Sequence, residues 1–252
     1  MRILAVSLDL DDTLWPIEPA IAGADQALDD WLRTHHPAIA QTWSITAMRA
    51  LRARIADENP TLAHDYAAQR LLTLRHALRS GGVDSEEVAL DALEIYFAAR
   101  NRVTLYDDVL PALAAIAARV PLITISNGNA DLRRIGLDAH FALSLSAREV
   151  GIAKPAAAIF RSACAQLRIA PEHVLHVGDD PLHDVAGARN AGLRAAWLNR
   201  GASNWDAAHG AVPDLQFADL GALARWLDAH VASRDATPPV SNAASFAAPH
   251  PD

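Results

Sequence analysis

Asp9, Asp11 and Asp12 stand in the pentapeptide Asp9-Leu10-Asp11-Asp12-Thr13, directly behind the apolar run Ile3-Leu4-Ala5-Val6-Ser7-Leu8. Burying a charge is costly unless it is paired or bound to metal. A strand pattern that ends in three carboxylates therefore suits a site better than a core, although an acidic turn after a strand reads the same way. Residues two apart in an extended chain point to one side, so Asp9 and Asp11 face one space and Asp12 turns aside. A second carboxylate group, Gly178-Asp179-Asp180-Pro181-Leu182-His183-Asp184, follows the strand pattern Val174-Leu175-His176-Val177. An acidic helix cap accounts for Asp180 or Asp184, but hardly for all three acids.

Two further points lie between these groups. Ser126 closes the apolar run Val120–Ile125 and opens Asn127-Gly128-Asn129. A hydroxyl before a Gly-containing turn into a helix offers N–H groups to an oxyanion, and an ordinary Ser/Asn helix cap has the same appearance. Lys154 precedes Pro155. Proline favours the first helical position, which puts Lys154 at a helix amino end, where it adds to the positive pole of the dipole. Lys154 is the single lysine among 22 basic residues. Arginine serves wherever charge alone matters, so a surviving lysine points to a need for a compact ammonium.

Carboxylates, a hydroxyl and one ammonium at strand ends suit a hard cation such as Mg²⁺, with some positions left to water and substrate. His/Cys clusters of zinc spacing are absent from the sequence. A G-x-S-x-G nucleophile elbow is absent as well.

These residues need a scaffold of alternating strands and helices. From Asp107 onward a helix (Leu110–Arg119) leads to the Val120–Ile125 strand. Later strand patterns are Val174–Val177, Ala195–Leu198 and Leu215–Phe217, with helices between and after them. That alternation predicts a mostly parallel sheet covered on both faces, with ligands outside the carboxyl ends of its strands. The stretch from Ile17 to about Arg102 is helical throughout. Ile21, Ala24, Leu28, Trp31 and Leu32 follow helical spacing, Asn59-Pro60 breaks the next segment, a third runs from Leu62 to Leu78, and Asp84 with Glu87 marks the start of a fourth. The expected organisation is an α/β core over residues 1–16 and 103–232, a helical cap over 17–102, and a disordered Pro/Ala/Ser tail over 233–252. The chain has 252 residues, 51% hydrophobic and 21% charged, with net charge −8 and one cysteine, Cys164. This balance disfavours nucleic acid as a partner, and no run is long enough to span a bilayer. A lone cysteine fits a reducing, cytoplasmic setting. The oligomeric state is not legible; a monomer is the working expectation.

Taken in order, Asp9-x-Asp11-x-Thr13, Ser126, Lys154-Pro155 and Gly178-Asp179…Asp184 resemble the four motifs of the haloacid dehalogenase-like hydrolase superfamily. The resemblance implies a Rossmann-like core with an inserted α-helical cap. It makes Asp9 the nucleophile that forms an aspartyl-phosphate, and Asp11 the general acid and then base, its backbone carbonyl a metal ligand. Thr13 and Ser126, with Asn127 and Gly128, would position the phosphoryl group, and Lys154 would offset the charge of Asp9 and phosphate. Mg²⁺ would be held by Asp9, Asp11 and Asp179, with Asp180 or Asp184 ligating through water or orienting Asp179 and Lys154.

Asp11 and the Asp179 group favour the phosphatase branch over metal-free 2-haloacid dehalogenases. A cap without lysine excludes Schiff-base phosphonate cleavage; hexose-phosphate mutases share the motifs. The segments Ile125–Ala130, Leu175–Asp180, His36-Pro37-Ala38 and His64-Asp65 resemble bacterial phosphatases of flavin mononucleotide and of the phosphorylated ribitylamino-uracil intermediate of riboflavin synthesis; Ala156-Ala157-Ala158 departs from them. A small phosphorylated metabolite is the expected partner. Alternatives are a pyrimidine 5'-nucleotidase, another small-metabolite phosphatase, or a non-catalytic sensor of a phosphorylated ligand. Trp15, Trp31, Trp43 and Tyr66 are candidates to stack on a flat ring, with helix packing as the plainer role. Arg49, Arg52, Arg54 and Arg70 are candidates for an anionic substrate, with a solvated helix face as the plainer role.

Overall fold

The computed structural model describes residues 2–206, 208 and 210–231; the expected tail, 233–252, lies outside the described residues. Strand β1 (Ala5–Leu8) leads into five helices: α1 (Ile17–His35), α2 (Pro37–Thr42), α3 (Ile45–Glu58), α4 (Tyr66–Ser80) and α5 (Glu86–Arg100). The chain then alternates through α6 (Val109–Ala117), β2 (Leu122–Ser126), α7 (Leu132–Ile135), β3 (Leu143–Ser146), α8 (Ala147–Val150), α9 (Ala157–Leu167) and β4 (Val174–Gly178). A π-helical turn (Pro181–Ala186) runs into α10 (Gly187–Ala191), followed by β5 (Arg194–Leu198), β6 (Leu215–Phe217) and α11 (Leu220–His230).

The six strands form one sheet in the order β3-β2-β1-β4-β5-β6, and every pairing is parallel. This is the α/β, Rossmann-like arrangement that the alternating pattern predicts. Every residue of β1, β2 and β4 is buried, as strands covered on both faces must be. Val6, Leu8, Leu122 and Val177 face α6 and α11, while Ala5, Ile123, Ile125 and Val174 face α9 and α10. Strand β3 is a difference from the sequence reading. Its Leu-Ser-Leu-Ser pattern is half-buried at the sheet edge, too polar to resemble the central strands, and Ser144 Oγ lies 2.8 Å from Thr124 Oγ1.

The first five helices pack on one another. Ala24, Leu28 and Leu32 of α1 form a stripe at i, i+4 spacing, and Ala89, Ala92, Tyr96 and Ala99 of α5 form another; all are buried in one apolar cluster with Leu74 and Leu78. Small residues on α1 and α5 let the two backbones approach closely, which is what makes the pairing compact. The start of α5 also departs from expectation: Ser85, not Asp84, accepts the capping bond from Val88 N at 3.3 Å, while Asp84 pairs with Arg79. No helix among the described residues is long and apolar enough to cross a membrane.

Candidate active site

Register places the acids together. Leu8 of β1 pairs with Val177 of β4 and with Thr124 of β2, so Asp9 emerges between Gly178-Asp179 on one side and Ser126 on the other. The backbone N–H of Asp9 donates to Val177 O at 3.0 Å. Chain order reverses between β1 and β4, where open α/β sheets bind ligands. A cavity of about 450 Å³ opens there, lined on the strand side by Asp9, Asp11, Ser126, Gly128, Lys154, Asp179 and Asp184.

Lys154 is the hub. Its Nζ donates to Asp9 Oδ1 and to Asp184 Oδ1, each at 2.6 Å, and its side chain is 2% exposed. The local reason differs from the expected helix start. Helix α9 begins at Ala157, and Lys154 stands in the turn before it, joined to Pro155 by a cis peptide. The turn is held instead by Asn127: its Nδ2 donates to Lys154 O at 2.9 Å, and Lys154 N donates to its Oδ1 at 2.7 Å. Asn127 reaches the cavity, yet its amide is committed to positioning the lysine.

Behind Asp184 the network continues into the sheet. His176 Nε2 lies 3.1 Å from Asp184 Oδ1, and His176 Nδ1 lies 2.9 Å from Ser7 Oγ. Burial holds His176 toward its neutral form. Since an ionised Asp184 only accepts, His176 carries its proton on Nε2 and accepts from Ser7. Burial alone would raise the Asp184 pKa, but Lys154 and His176 outweigh it and hold the group well below the usual carboxylate range. Burial likewise opposes the charge on Lys154, and Asp184 and Asp9 overcome it, raising its pKa. Gly178 is required here because a Cβ would collide with the Asp184 carboxylate.

Asp11 is held by two donors on one oxygen. Arg100 Nη2 reaches Asp11 Oδ1 at 2.6 Å and Trp15 Nε1 reaches it at 2.8 Å. Trp15 is fully buried, so it is not a ring-stacking surface. Arg100, at the end of α5, is 1% exposed, and its Nε and Nη1 have no partner. It stands outside the sequence expectations: helical spacing puts it one turn beyond Tyr96 on the same stripe, but does not by itself set it against an acid. The other oxygen, Asp11 Oδ2, accepts no hydrogen bond among the described residues and lies where a Cβ on Gly128 would come within 2.5 Å of it. Asp12 is turned aside with a φ of 58°, its Oδ1 accepting from Ile17 N at 2.9 Å at the start of α1.

The remaining candidates divide. Thr13 is fully buried and is not part of the cavity wall; its Oγ1 donates to Asp179 Oδ1 at 3.2 Å. That hydroxyl orients the Asp179 carboxylate. Ser126 is at the cavity, with its Oγ accepting from Gly128 N at 3.0 Å; helix α7 starts only at Leu132, capped by Asp131. Asp180 Oδ1 accepts from Leu182 N and His183 N, at 2.8 and 2.7 Å, which makes it the cap of the following turn. Trp31 packs on His35 and His36, and Trp43 donates to Ser80, both away from the cavity. Arg49 pairs with the buried Asp25, and Arg54 with the exposed Glu58 on the cap surface. Tyr66, Tyr96, Arg52 and Arg70 line the cavity on the cap side with Ile17 and Ile21.

The donor set fits a divalent cation. Carboxylate oxygens of Asp9, Asp179 and Asp184 lie within 4.8 Å of one another. Burial, joined by the charges of Asp184 and Asp12, pushes Asp179 up to about 7. Burial raises Asp9 well above the ordinary range too, and Lys154 only partly offsets it. Buried acids with carboxylate neighbours resist ionising, and a hard metal ion would favour their charged forms. Asp180 does not join this group, and the Asp11 carboxylate faces Arg100.

Residues 3–192 match the model of the haloacid dehalogenase-like hydrolases. The chain is 31% identical over 200 residues to the 5-amino-6-(5-phospho-D-ribitylamino)uracil phosphatase of Escherichia coli, covering 78% of this chain and 84% of that one. It is 37% identical over 191 residues to the phosphoserine phosphatase of Thermus thermophilus, covering 73% and 72%. Among solved structures, the 2-haloacid dehalogenase of Pseudomonas syringae superposes with a TM-score of 0.82 at 38% identity, covering 89% of this chain and all of that one.

Proposed function

The chain belongs to the haloacid dehalogenase-like hydrolases and is a phosphatase, and we propose that it hydrolyses a phosphomonoester through attack of Asp9 on phosphorus. The observation that carries this reading is the buried Asp9–Lys154–Asp184 hub, with Asp11 two residues on and Asp179 beside it. Lys154 occupies Asp9 Oδ1 and fixes the carboxylate in place. Asp11 is the proton carrier. Arg100 and Trp15 both donate to Oδ1, so the proton given to the leaving alcohol is carried on Oδ2, and the same oxygen then takes a proton from attacking water. The Ser126 hydroxyl and the Gly128 edge of the cavity receive the phosphoryl oxygens. Thr13 and Trp197 set Asp179, the latter by donating from Nε1 to Asp179 O at 2.8 Å. Asp9, Asp179 and the Asp11 carbonyl would hold Mg²⁺, with Asp184 positioning Lys154. Bound there, the ion supplies compact positive charge that screens a carboxylate from a phosphate dianion.

The proposed substrate is flavin mononucleotide or a ribityl phosphate of riboflavin synthesis. Similarity to the ribitylaminouracil phosphatase across most of both chains supports it. The distant part of such a substrate would extend to Tyr66 and Tyr96, whereas Trp15, Trp31 and Trp43 are packed elsewhere. Comparing kcat/KM for flavin mononucleotide, uridine monophosphate and glucose 6-phosphate at matched Mg²⁺ tests this. A preference for flavin mononucleotide is expected; a preference for either other ester overturns the substrate assignment and leaves the chemistry standing.

A further inference from the structure

The cap wall of the cavity carries more positive charge than the phosphoryl end requires. Arg52 of α3, Arg70 of α4 and Arg100 of α5 all line it, and the three are not equivalent. Arg100 is committed to Asp11 at 2.6 Å. Arg70 is buried, with its guanidinium carbon 3.4 Å from the centre of the Tyr96 ring, and it reaches Asp25 Oδ1 at 3.5 Å. Asp25 Oδ2 is already taken by Arg49 at 2.6 Å, so one carboxylate serves two guanidinium groups. Arg52 is half-buried and has no hydrogen bond or ion pair among the described residues. Burial works against the charge on Arg70, and the like charge of Arg52 adds to that. A pair of guanidinium groups with less than one counter-charge, facing a cavity, presents hydrogen-bond donors and positive charge to an acceptor-bearing or anionic group.

Shape narrows the ligand. The guanidinium fork matches two oxygens held in one plane. Tyr66, 40% exposed, offers a ring face on the same wall, and Ile17 and Ile21 offer apolar contact. The phosphoryl group sits at the strand ends with Lys154, so the part of the substrate that meets Arg52 belongs to the leaving alcohol. We propose that Arg52, backed by Arg70, is a subsite for a carbonyl or carboxylate oxygen acceptor on the leaving-group side of the substrate, as presented by a carboxylate, which both arms of the fork can meet, or by one carbonyl of a pyrimidine-dione ring. This inference rests on the phosphatase reading above and adds the residue that selects among phosphomonoesters.

The test pairs three esters with Arg52→Gln and Arg52→Lys. Flavin mononucleotide carries the dione edge, 3-phosphoglycerate a carboxylate, and ribitol 5-phosphate neither. Arg52→Gln is expected to lower kcat/KM at least about tenfold more for an acceptor-bearing ester than for ribitol 5-phosphate, mainly through KM, with Arg52→Lys recovering part of the loss. A selective loss with flavin mononucleotide assigns the dione, and one with 3-phosphoglycerate assigns the carboxylate. Equal losses on all three esters, or none, overturn the subsite. Calorimetric Kd values for the same esters, on Asp9→Asn with and without Arg52→Gln, judge the subsite independently of turnover. There too an acceptor-bearing ester must lose more affinity than ribitol 5-phosphate, and equal losses overturn it. Absence of turnover of every ester by the unaltered protein would instead defeat the phosphatase reading. Arg52 supports no neighbour by hydrogen bond, so both variants are expected to keep the thermal unfolding midpoint of the parent.

Discussion

The two walls of one cavity are built on opposite principles. On the strand wall nearly every polar atom has a partner: Ser7, His176, Asp184, Lys154 and Asp9 form one buried chain, and Asn127 clamps the lysine backbone from both sides. On the cap wall Arg52 has no hydrogen-bond or ion-pair partner among the described residues, Arg70 shares its acid with Arg49, and Tyr66 is open to solvent. A wall whose groups are fixed before the substrate arrives suits bond-making, because no reorganisation is needed as charge develops. A wall with uncommitted donors suits recognition of the variable half of a substrate. Arg100 joins the two, being a cap residue whose charge is fixed on the strand-side acid Asp11.

The comparison can be broken most severely at Asp9. Asp9→Asn is nearly isosteric, and it should lower kcat on an aryl phosphate by at least about a thousandfold, roughly 4 kcal/mol in barrier, with the fold retained. Substantial remaining turnover would remove the strand wall from the chemistry. Chelation with EDTA should abolish turnover and added Mg²⁺ restore it. The structural likeness to a 2-haloacid dehalogenase makes 2-chloropropionate the matching control, and halide release indifferent to EDTA would contradict the account. Lys154→Arg comes next. The planar fork cannot meet Asp9 and Asp184 as one compact ammonium does, and a fall of at least about tenfold, roughly 1.4 kcal/mol, is expected; normal turnover would show that charge alone suffices.

The smallest effect concerns the base of the strand wall. Arg200 donates to Thr13 O and forms a two-bond pair with Asp108, whose second oxygen also accepts from Leu220 N at 2.7 Å. Burial works to raise the Asp108 pKa, but Arg200 and this N–H outweigh it, and the net shift is downward. A depressed carboxyl stabilises the fold above its unfolded pKa of about 4 and loses that contribution as pH falls through the folded value. Asp108→Asn should therefore flatten the acid limb of the stability curve below about pH 4 and change stability at neutral pH by about 1 kcal/mol or less, given partial solvent screening. An unchanged acid limb in thermal unfolding would exclude this linkage.

The two walls also differ in how far the sequence discloses them. Asp9, Ser126 and Asp179 follow or close strand-like runs, and parallel strands bring their carboxyl ends to one edge, so a linear pattern translates into a cluster. The strand pattern fails only at β3, where the alternation Leu143-Ser144-Leu145-Ser146 is half polar, as befits a sheet edge. Local turn chemistry was harder. Pro155 suggested a helix start, yet Asn127, distant in sequence, determines how Lys154 is held. Thr13 follows the acids closely, yet its hydroxyl turns to Asp179. On the cap wall the signal is weaker still. Arg49, Arg52, Arg54 and Arg70 look alike along the helices, and only the packing of α1, α3, α4 and α5 separates those on the surface from those at the cavity. Arg100 is buried because α5 ends against the strand side, a fact of tertiary geometry that helical spacing alone does not reveal.

The central claim is that the strand wall makes a covalent bond to phosphorus through Asp9. Rapid acid quench of the protein during turnover of an aryl phosphate, followed by peptide mass spectrometry, tests it most directly. The account predicts a phosphoryl mass increment on the peptide containing Asp9, absent in Asp9→Asn and lost on base treatment as an acyl phosphate is. Turnover with no increment on that peptide, or with the phosphoryl group on another residue, would contradict it.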